Sequence, residues 1–179
     1  MAQYPGLPAR VQSLIDSEEV QQDYLSLRDN VSSLQIATLG AEQTPQVSYA
    51  PFVWQDNSAY LLLSDLAQHT QNLKLNPSIS VMMIEDENQA RNQFARRRII
   101  LQGAVQVIER NVLDFNRILA EFKVRFGEVI DLIEPLQDFH LFQVLIRGGR
   151  FIRGFGQAYA LRGDNLDELI HIDPSSKAP

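Results

Sequence analysis

Residues 33–63 read SLQIATLGAEQTPQVSYAPFVWQDNSAYLLL and contain three short apolar segments separated by polar turns. Residues 33–39 alternate between polar and apolar side chains and end at Gly40, which is typical of a half-buried strand. Residues 47–54 are predicted to form the return strand, in which Pro51 indicates an edge or a bulge, and residues 59–63 a buried third strand. Strands in such close succession predict antiparallel hairpins.

The sequence on both sides continues this arrangement with helices inserted between strands. Apolar spacing predicts helices over residues 10–30, 66–75 and 112–126, and a helical or irregular connector over 128–137. Further strands are predicted over residues 80–84, 99–108, 139–146 and 150–155. Gly103 is expected at a bulge, and Gly148-Gly149 at the turn of a hairpin.

These elements predict an α+β fold, a small antiparallel barrel of about six strands with peripheral helices. We expect a single domain over residues 1–179, with an N-terminal arm (1–9) and a C-terminal tail (about 162–179).

Composition excludes several classes of protein. Hydrophobic residues make up 45% and charged residues 21% of the 179 residues, as in soluble globular chains. A net charge of −6 argues against a general nucleic-acid binder, and the absence of cysteine excludes disulfides, thiolate metal sites and cysteine nucleophiles. No segment approaches the ~20 apolar residues of a membrane span or resembles a signal peptide. We therefore expect a cytoplasmic protein without membrane association.

An arginine cluster follows the acidic residues 85–87 and comprises Arg91, Arg96, Arg97 and Arg98. Guanidinium groups bind carboxylates and phosphates in bidentate geometry, so the cluster could hold a dianionic ligand. The alternative is a solvated helix face whose arginines pair with the neighbouring carboxylates. The sequence leaves both possibilities open.

The chain has three histidines with different surroundings. His69 lies at a predicted helix start and is expected to cap the helix or serve an interface. His140 alternates with apolar residues and is expected in the core or on the sheet surface. His171 lies near the C-terminus between β-branched residues, where it could pair as a strand, close over a neighbour's site, or have no role. Neutral imidazole is also the common protein ligand of haem iron.

Several motifs, taken together, resemble the HugZ/HutZ haem-utilisation family over roughly residues 30–160. They are Ser64–Leu73, Asn76-Pro77, residues 80–87, Phe94–Arg98, Asp138-Phe139 and Gly154–Ala158. The resemblance implies the pyridoxamine-phosphate-oxidase-like, FMN-binding split barrel. It also implies a homodimer that binds haem at the subunit seam and cleaves it oxidatively, with haem as both cofactor and substrate and an unidentified electron donor.

The resemblance also implies roles for individual residues. The axial ligand of the haem iron in this family is a histidine of the C-terminal tail, which is matched here by His171. The acidic residue that hydrogen-bonds this histidine across the dimer is best matched by Asp138, with Asp131 as the reserve choice. The arginine on the distal side of the haem is matched by Arg98, and Arg96 and Arg97 are expected to bind haem or exchange roles with it.

Two features bear on alternative functions. His69 matches a family histidine of the subunit interface. In flavin-using split barrels a basic pair holds the FMN phosphate, and here the corresponding positions are Gln68 and His69. The missing pair disfavours FMN, although the arginine cluster could compensate. An FMN-dependent oxidoreductase and a non-catalytic haem carrier therefore remain as alternatives to a haem-degrading oxygenase.

Overall fold

The structure, a computed structural model, describes residues 9–163 and 165–173. The elements in chain order are α1 (Ala9–Asn30), β1 (Ser33–Leu39), β2 (Pro45–Gln55), β3 (Ser58–Ser64), α2 (Gln68–Leu75), β4 (Ser78–Ile84), β5 (Arg98–Ile108), α3 (Leu113–Phe126), α4 (Val129–Ile133), β6 (Phe139–Gly154), β7 (Gln157–Arg162) and β8 (Glu168–His171).

The eight strands of the described residues form one antiparallel sheet in the order β3-β2-β1-β4-β5-β6-β7-β8. An additional pairing between β3 and β6 closes the first six strands into a barrel, and β7 and β8 extend the sheet beyond it. The predicted α+β barrel of about six strands with peripheral helices is therefore confirmed. No helix in the described ranges has the length and apolar character needed to span a membrane.

The barrel interior is filled by side chains that alternate along the strands. In β1, Leu34 and Ile36 point inward and are fully buried, whereas Gln35 and Ala37 face outward. The strand β3 is buried on both faces, because Leu61 and its alternate neighbours enter the barrel core and Tyr60 packs in a second cluster with α3 and α4. This double burial explains the continuous apolar run at residues 59–63.

The strand β2 changes partner at the predicted position of irregularity. Residues 45–51 pair with β1 and residues 52–55 pair with β3, so that Pro51 is the last residue paired with β1. A proline, which has no N–H to donate, is tolerated at this change of partner.

The prediction of a hairpin turn at Gly148-Gly149 is wrong. Both glycines lie inside β6, a continuous strand of 16 residues, and the turn comes instead at Gly156, where φ is +67°. A Cβ at Gly149 would lie 2.6 Å from Leu101 Cδ2 and 2.8 Å from the Ile100 carbonyl oxygen. The glycine thus permits close packing of β5 and β6, which the sequence alone does not distinguish from a turn. The bulge predicted at Gly103 is confirmed.

Part of the predicted tail forms regular secondary structure. Residues 168–171 form β8, which pairs with β7 through Tyr159 and His171, among others. The predicted arm lies outside the described residues except for Ala9, where α1 begins, and residues 174–179 of the tail also lie outside them.

Candidate functional site

Arg96 and Arg97 are engaged in ion pairs within the chain. The Arg96 Nη1 atom lies 3.0 Å from Glu87 Oε1, and Arg96 Nε donates to the Glu85 carbonyl oxygen at 3.0 Å. The Arg97 Nη2 atom lies 2.8 Å from Glu85 Oε1, and its Nη1 atom lies 3.3 Å from Asp23 on α1. These contacts hold the β4–β5 loop together, as expected for arginines that pair with neighbouring acids, although the segment is a loop and not a helix face.

Arg98 differs from its two neighbours because it begins β5 and pairs in register with Ile84 and Ile152. Its Nη1 atom donates to the Arg96 carbonyl oxygen at 2.9 Å. Within the part of the chain that the structure describes, Arg98 has no carboxylate partner. Of the three consecutive arginines, it is therefore the one whose charge is available to an external anion.

His171 ends β8 and is exposed. Its Nε2 atom lies 3.0 Å from the Gly156 carbonyl oxygen, and its ring meets the Tyr159 ring edge-on with centroids 5.3 Å apart. Because a carbonyl oxygen only accepts hydrogen bonds, Nε2 carries a hydrogen in this arrangement, and a neutral ring then keeps its lone pair on Nδ1. This nitrogen is the one poised to ligate a metal ion.

Asp138 immediately precedes β6 and is half-buried. The Ser64 hydroxyl donates to its Oδ2 atom at 2.8 Å, and the Asp65 N–H donates to its carbonyl oxygen at 2.8 Å. The reserve candidate, Asp131, is more exposed, and its carboxylate lies 2.8 Å from Lys123 Nζ. This hydrogen bond is the main cause that raises the pKa of Lys123. The two aspartates therefore differ in that Asp131 already pairs with a cation.

The three principal predicted residues do not meet within one chain. His171 pairs with Tyr159 of β7, and Tyr159 in turn pairs with Phe151 near the C-terminal end of β6. Asp138 lies at the other end, directly before the first residue of β6. Phe151 lies thirteen positions after Asp138, which corresponds to roughly 40 Å along the strand at ~3.3 Å per residue. Arg98 lies at the same end of β6 as His171, but it pairs with Ile152, next to Phe151, and so points to the opposite face of the sheet.

A polar cluster beside Asp138 has no counterpart among the sequence predictions. His140 Nε2 lies 2.9 Å from Asp65 Oδ2 and 3.3 Å from Lys74 Nζ, and Lys74 also bonds Asp65. The hydrogen bond from Lys74 is the largest cause that lowers the pKa of Asp65, followed by the one from His140. The sequence does contain one indication of this cluster, because the polar pair Ser64-Asp65 directly follows a predicted buried strand. The partners of Asp65, Lys74 and His140, come from other segments and could not be identified from the sequence.

His69 is the second residue of α2 and is half-buried. Its Nδ1 atom lies 2.9 Å from Ser48 Oγ on β2. Burial lowers the pKa of His69 and so favours the neutral ring. The side chain does not cap the helix, because the N-cap residue is Ala67 and it provides no side-chain hydrogen bond.

Comparison with known proteins places the fold and these residues in context. Residues 20–153 match the family model described as pyridoxamine 5′-phosphate oxidase. The chain is 42% identical over 146 residues to a Vibrio cholerae protein named heme oxygenase HutZ, which covers 82% of this chain and 83% of that protein. The chain belongs to the HugZ/HutZ branch of the pyridoxamine 5′-phosphate oxidase family.

Two solved structures from this HugZ/HutZ branch resemble the chain closely. A crystal structure of Vibrio cholerae HutZ, described there as a heme storage protein, has a TM-score of 0.70 and 36% identity, with 80% of this chain and 96% of that chain covered. The structure of Campylobacter jejuni ChuZ has a TM-score of 0.80 and 31% identity, with 94% of this chain and 71% of that chain covered.

The residues at α2 in this HugZ/HutZ chain do not fit the FMN phosphate, which a basic pair holds in flavin-using split barrels. Gln68 carries no charge, and its side-chain amide donates to Asn72 at 3.1 Å. His69 is held near neutrality by burial and bonds Ser48. Neither residue offers a cation to a phosphate group, so the charge-assisted hydrogen bonds that such a group requires are missing at these positions.

Proposed function

We propose that this protein is a haem-degrading oxygenase of haem-iron utilisation, a cytoplasmic oxidoreductase that holds haem at the seam of a homodimer. The observation that carries the proposal is the 42% identity to the Vibrio cholerae protein named heme oxygenase HutZ over most of both chains. The exposed His171 and the free charge of Arg98 support the same assignment, since they are a candidate iron ligand and a candidate anion partner.

The separation of the candidate residues supports the proposed homodimer. Asp138 adjoins one end of β6, and His171 lies on β8 level with the other end, so a site that used both residues would combine two chains. An isologous pair would repeat such a composite site twice. The outer face of β2 offers apolar contact area for the second copy, because Val47 and Tyr49 are 75% and 70% exposed.

In this arrangement, His171 ligates the iron of the haem substrate. Its ring has one nitrogen for the metal and one N–H, and that N–H is donated to the Asp138 carboxylate of the other chain. A carboxylate in this position makes an imidazole ligand more basic. The present contact between His171 and the Gly156 carbonyl oxygen must be released for Nε2 to take part, whereas Nδ1 has no hydrogen-bond partner among the residues that the structure describes.

Arg98 is the arginine that we assign to the haem, where it would supply hydrogen-bond donors to an anionic group or to an ordered water. Arg96 and Arg97 contribute mainly by holding the β4–β5 loop, because their guanidinium groups already meet Glu87 and Glu85. Oxidative cleavage of the ring also requires reducing equivalents, which an electron donor outside this chain must supply.

The main competing function is a non-catalytic haem carrier. The description of the Vibrio cholerae HutZ crystal structure as a heme storage protein favours it, and such a carrier would use the same His171. An FMN-dependent oxidoreductase is disfavoured by the uncharged positions at Gln68 and His69.

An absorption spectrum tests the three functions together. Purified protein is mixed with hemin, and ascorbate or hydrogen peroxide is added. Loss of the Soret band with formation of a ring-opened product supports the oxygenase, and a Soret band that persists supports the carrier. A yellow protein that binds FMN with sub-micromolar affinity and takes up no hemin would contradict both haem functions.

A further inference from the structure

The turn that follows β3 holds Asp138 at two points. The Ser64 hydroxyl donates to Asp138 Oδ2 at 2.8 Å, and the Asp65 N–H donates to the Asp138 carbonyl oxygen at 2.8 Å. The turn itself is closed by the Ala67 N–H, which donates to the Ser64 carbonyl oxygen at 3.1 Å. Both the backbone and the carboxylate of Asp138 are therefore fixed to residues 64–65.

The Ser64 hydroxyl is oriented toward this role by a further contact. The Leu66 N–H donates to Ser64 Oγ at 3.1 Å, which uses a lone pair of the oxygen and leaves the hydroxyl hydrogen for Asp138. The neighbouring Asp65 carboxylate bonds Lys74 and His140, and His140 lies in β6 two residues after Asp138. The turn is thus anchored on both sides of the carboxylate that it holds.

The other carboxylate oxygen of Asp138, Oδ1, has no hydrogen-bond partner among residues 9–163 and 165–173. A half-buried carboxylate that is held by one oxygen presents its second oxygen in a fixed direction. We propose that Ser64 is a positioning residue of the haem site: by holding Oδ2 it aims Oδ1 of Asp138 at the imidazole N–H of His171 from a second copy of the chain. This inference rests on the proposed function.

The test compares Ser64→Ala with Ser64→Thr. Removing the hydroxyl lets the Asp138 carboxylate rotate, so we expect Ser64→Ala to lower hemin affinity or the degradation rate by about 2- to 12-fold, the range of one hydrogen bond. The iron–histidine stretching band of the reduced, ferrous haem complex should shift or broaden in resonance Raman spectra, because that band reports the hydrogen bond of the ligand imidazole. Ser64→Thr retains the hydroxyl and should restore both values.

Ser58→Ala is a matched control at the other end of β3. Ser58 Oγ accepts a hydrogen bond from the Gln143 side chain at 3.0 Å, so this variant also removes one hydroxyl contact between β3 and β6. The control should leave the iron–histidine band unchanged. Thermal unfolding of each hemin-free variant checks that it is folded, and Ser64→Ala added to Asp138→Asn should cause little further change, since Ser64 acts through Asp138.

The outcomes separate this inference from the function on which it rests. A wild-type band and wild-type affinity in Ser64→Ala, or equal changes in Ser64→Ala and Ser58→Ala, overturn the positioning role. If His171→Ala and Asp138→Asn also behave as wild type, the haem site itself is wrong and the inference falls with it. If those two variants lose function while Ser64→Ala does not, only the role of Ser64 is refuted.

Discussion

The two ends of β6 hold their candidate residues in different ways. Asp138 adjoins the β3–β6 pairing that closes the barrel, where a turn and a polar cluster fix it. His171 lies at the opposite end on β8, the outermost strand of the sheet, which pairs with β7 alone among the described strands. An edge strand of four residues separates from its neighbour at a lower free-energy cost than a strand of the closed barrel, which is paired on both sides. The Asp138 carboxylate is therefore preorganised, whereas His171, the proposed ligand, lies on the part of the sheet that can adjust.

The largest effect on hemin coordination and degradation should come from a substitution on the edge strand β8. His171→Ala removes the proposed iron ligand, so we expect a changed ferric Soret spectrum and loss of hemin degradation. His69→Ala should retain the wild-type coordination, because His69 bonds Ser48 on another part of the barrel. A wild-type spectrum and wild-type turnover in His171→Ala would refute the assignment of His171 as the iron ligand.

Asp138→Asn tests the end of β6 at which the turn after β3 holds the carboxylate. The asparagine leaves His171 in place but removes the carboxylate, so the imidazole becomes less basic and activity should fall about 10- to 100-fold with the histidine still bound to iron. Activity with hemin and the ferric spectrum are both measured.

Asp131→Asn is the matched control for that experiment, since the Asp131 side chain is 60% exposed and pairs with Lys123. We expect it to have no effect on activity. The opposite result, a loss in Asp131→Asn and none in Asp138→Asn, would move the acidic partner from the barrel closure to α4.

Arg98→Ala tests whether the Arg98 guanidinium, which has no carboxylate partner among the described residues, contributes to hemin binding or turnover. Loss of one charge-assisted hydrogen bond costs on the order of 1–3 kcal/mol, or roughly 5- to 150-fold in hemin affinity or turnover. Arg96→Ala and Arg97→Ala should have smaller effects on hemin, because these residues pair with Glu87 and Glu85.

Arg117→Ala provides a control for the loss of positive charge, because Arg117 lies on α3 and pairs with Asp56 and Asp114. Hemin titrations and turnover measurements of all four variants make the comparison. Equal affinities and equal turnover throughout would show that the arginine cluster serves only the loop.

The comparison also shows what sequence can and cannot predict in this chain. Strand and helix positions follow from local spacing, and β1 matches its predicted bounds, residues 33–39. The Gly148-Gly149 error arose because a glycine pair looks alike in a turn and in a close strand contact, and only the packing against Leu101 distinguishes them. The contact between Ser64 and Asp138 joins residues 74 positions apart, and no local pattern encodes such a contact.

The smallest effect concerns the pH dependence of stability at α2, beside the fixed end. Burial lowers the pKa of His69 from its ordinary value of about 6.5, so the unfolded chain binds a proton at a pH where the folded chain does not. The stability linked to the neutral ring is fully present above about pH 6.5 and is lost as the pH falls through the lower folded value.

His69→Gln cannot titrate and should show a smaller loss of unfolding free energy between pH 7.5 and pH 5.5 in urea titrations. The hydrogen bonds from Lys74 and His140 lower the pKa of Asp65 below its already acidic ordinary value, so this group does not titrate between pH 7.5 and pH 5.5. Parallel pH profiles for the wild type and His69→Gln would contradict the burial of His69 as a neutral ring and would reopen α2 as a site for a phosphate group.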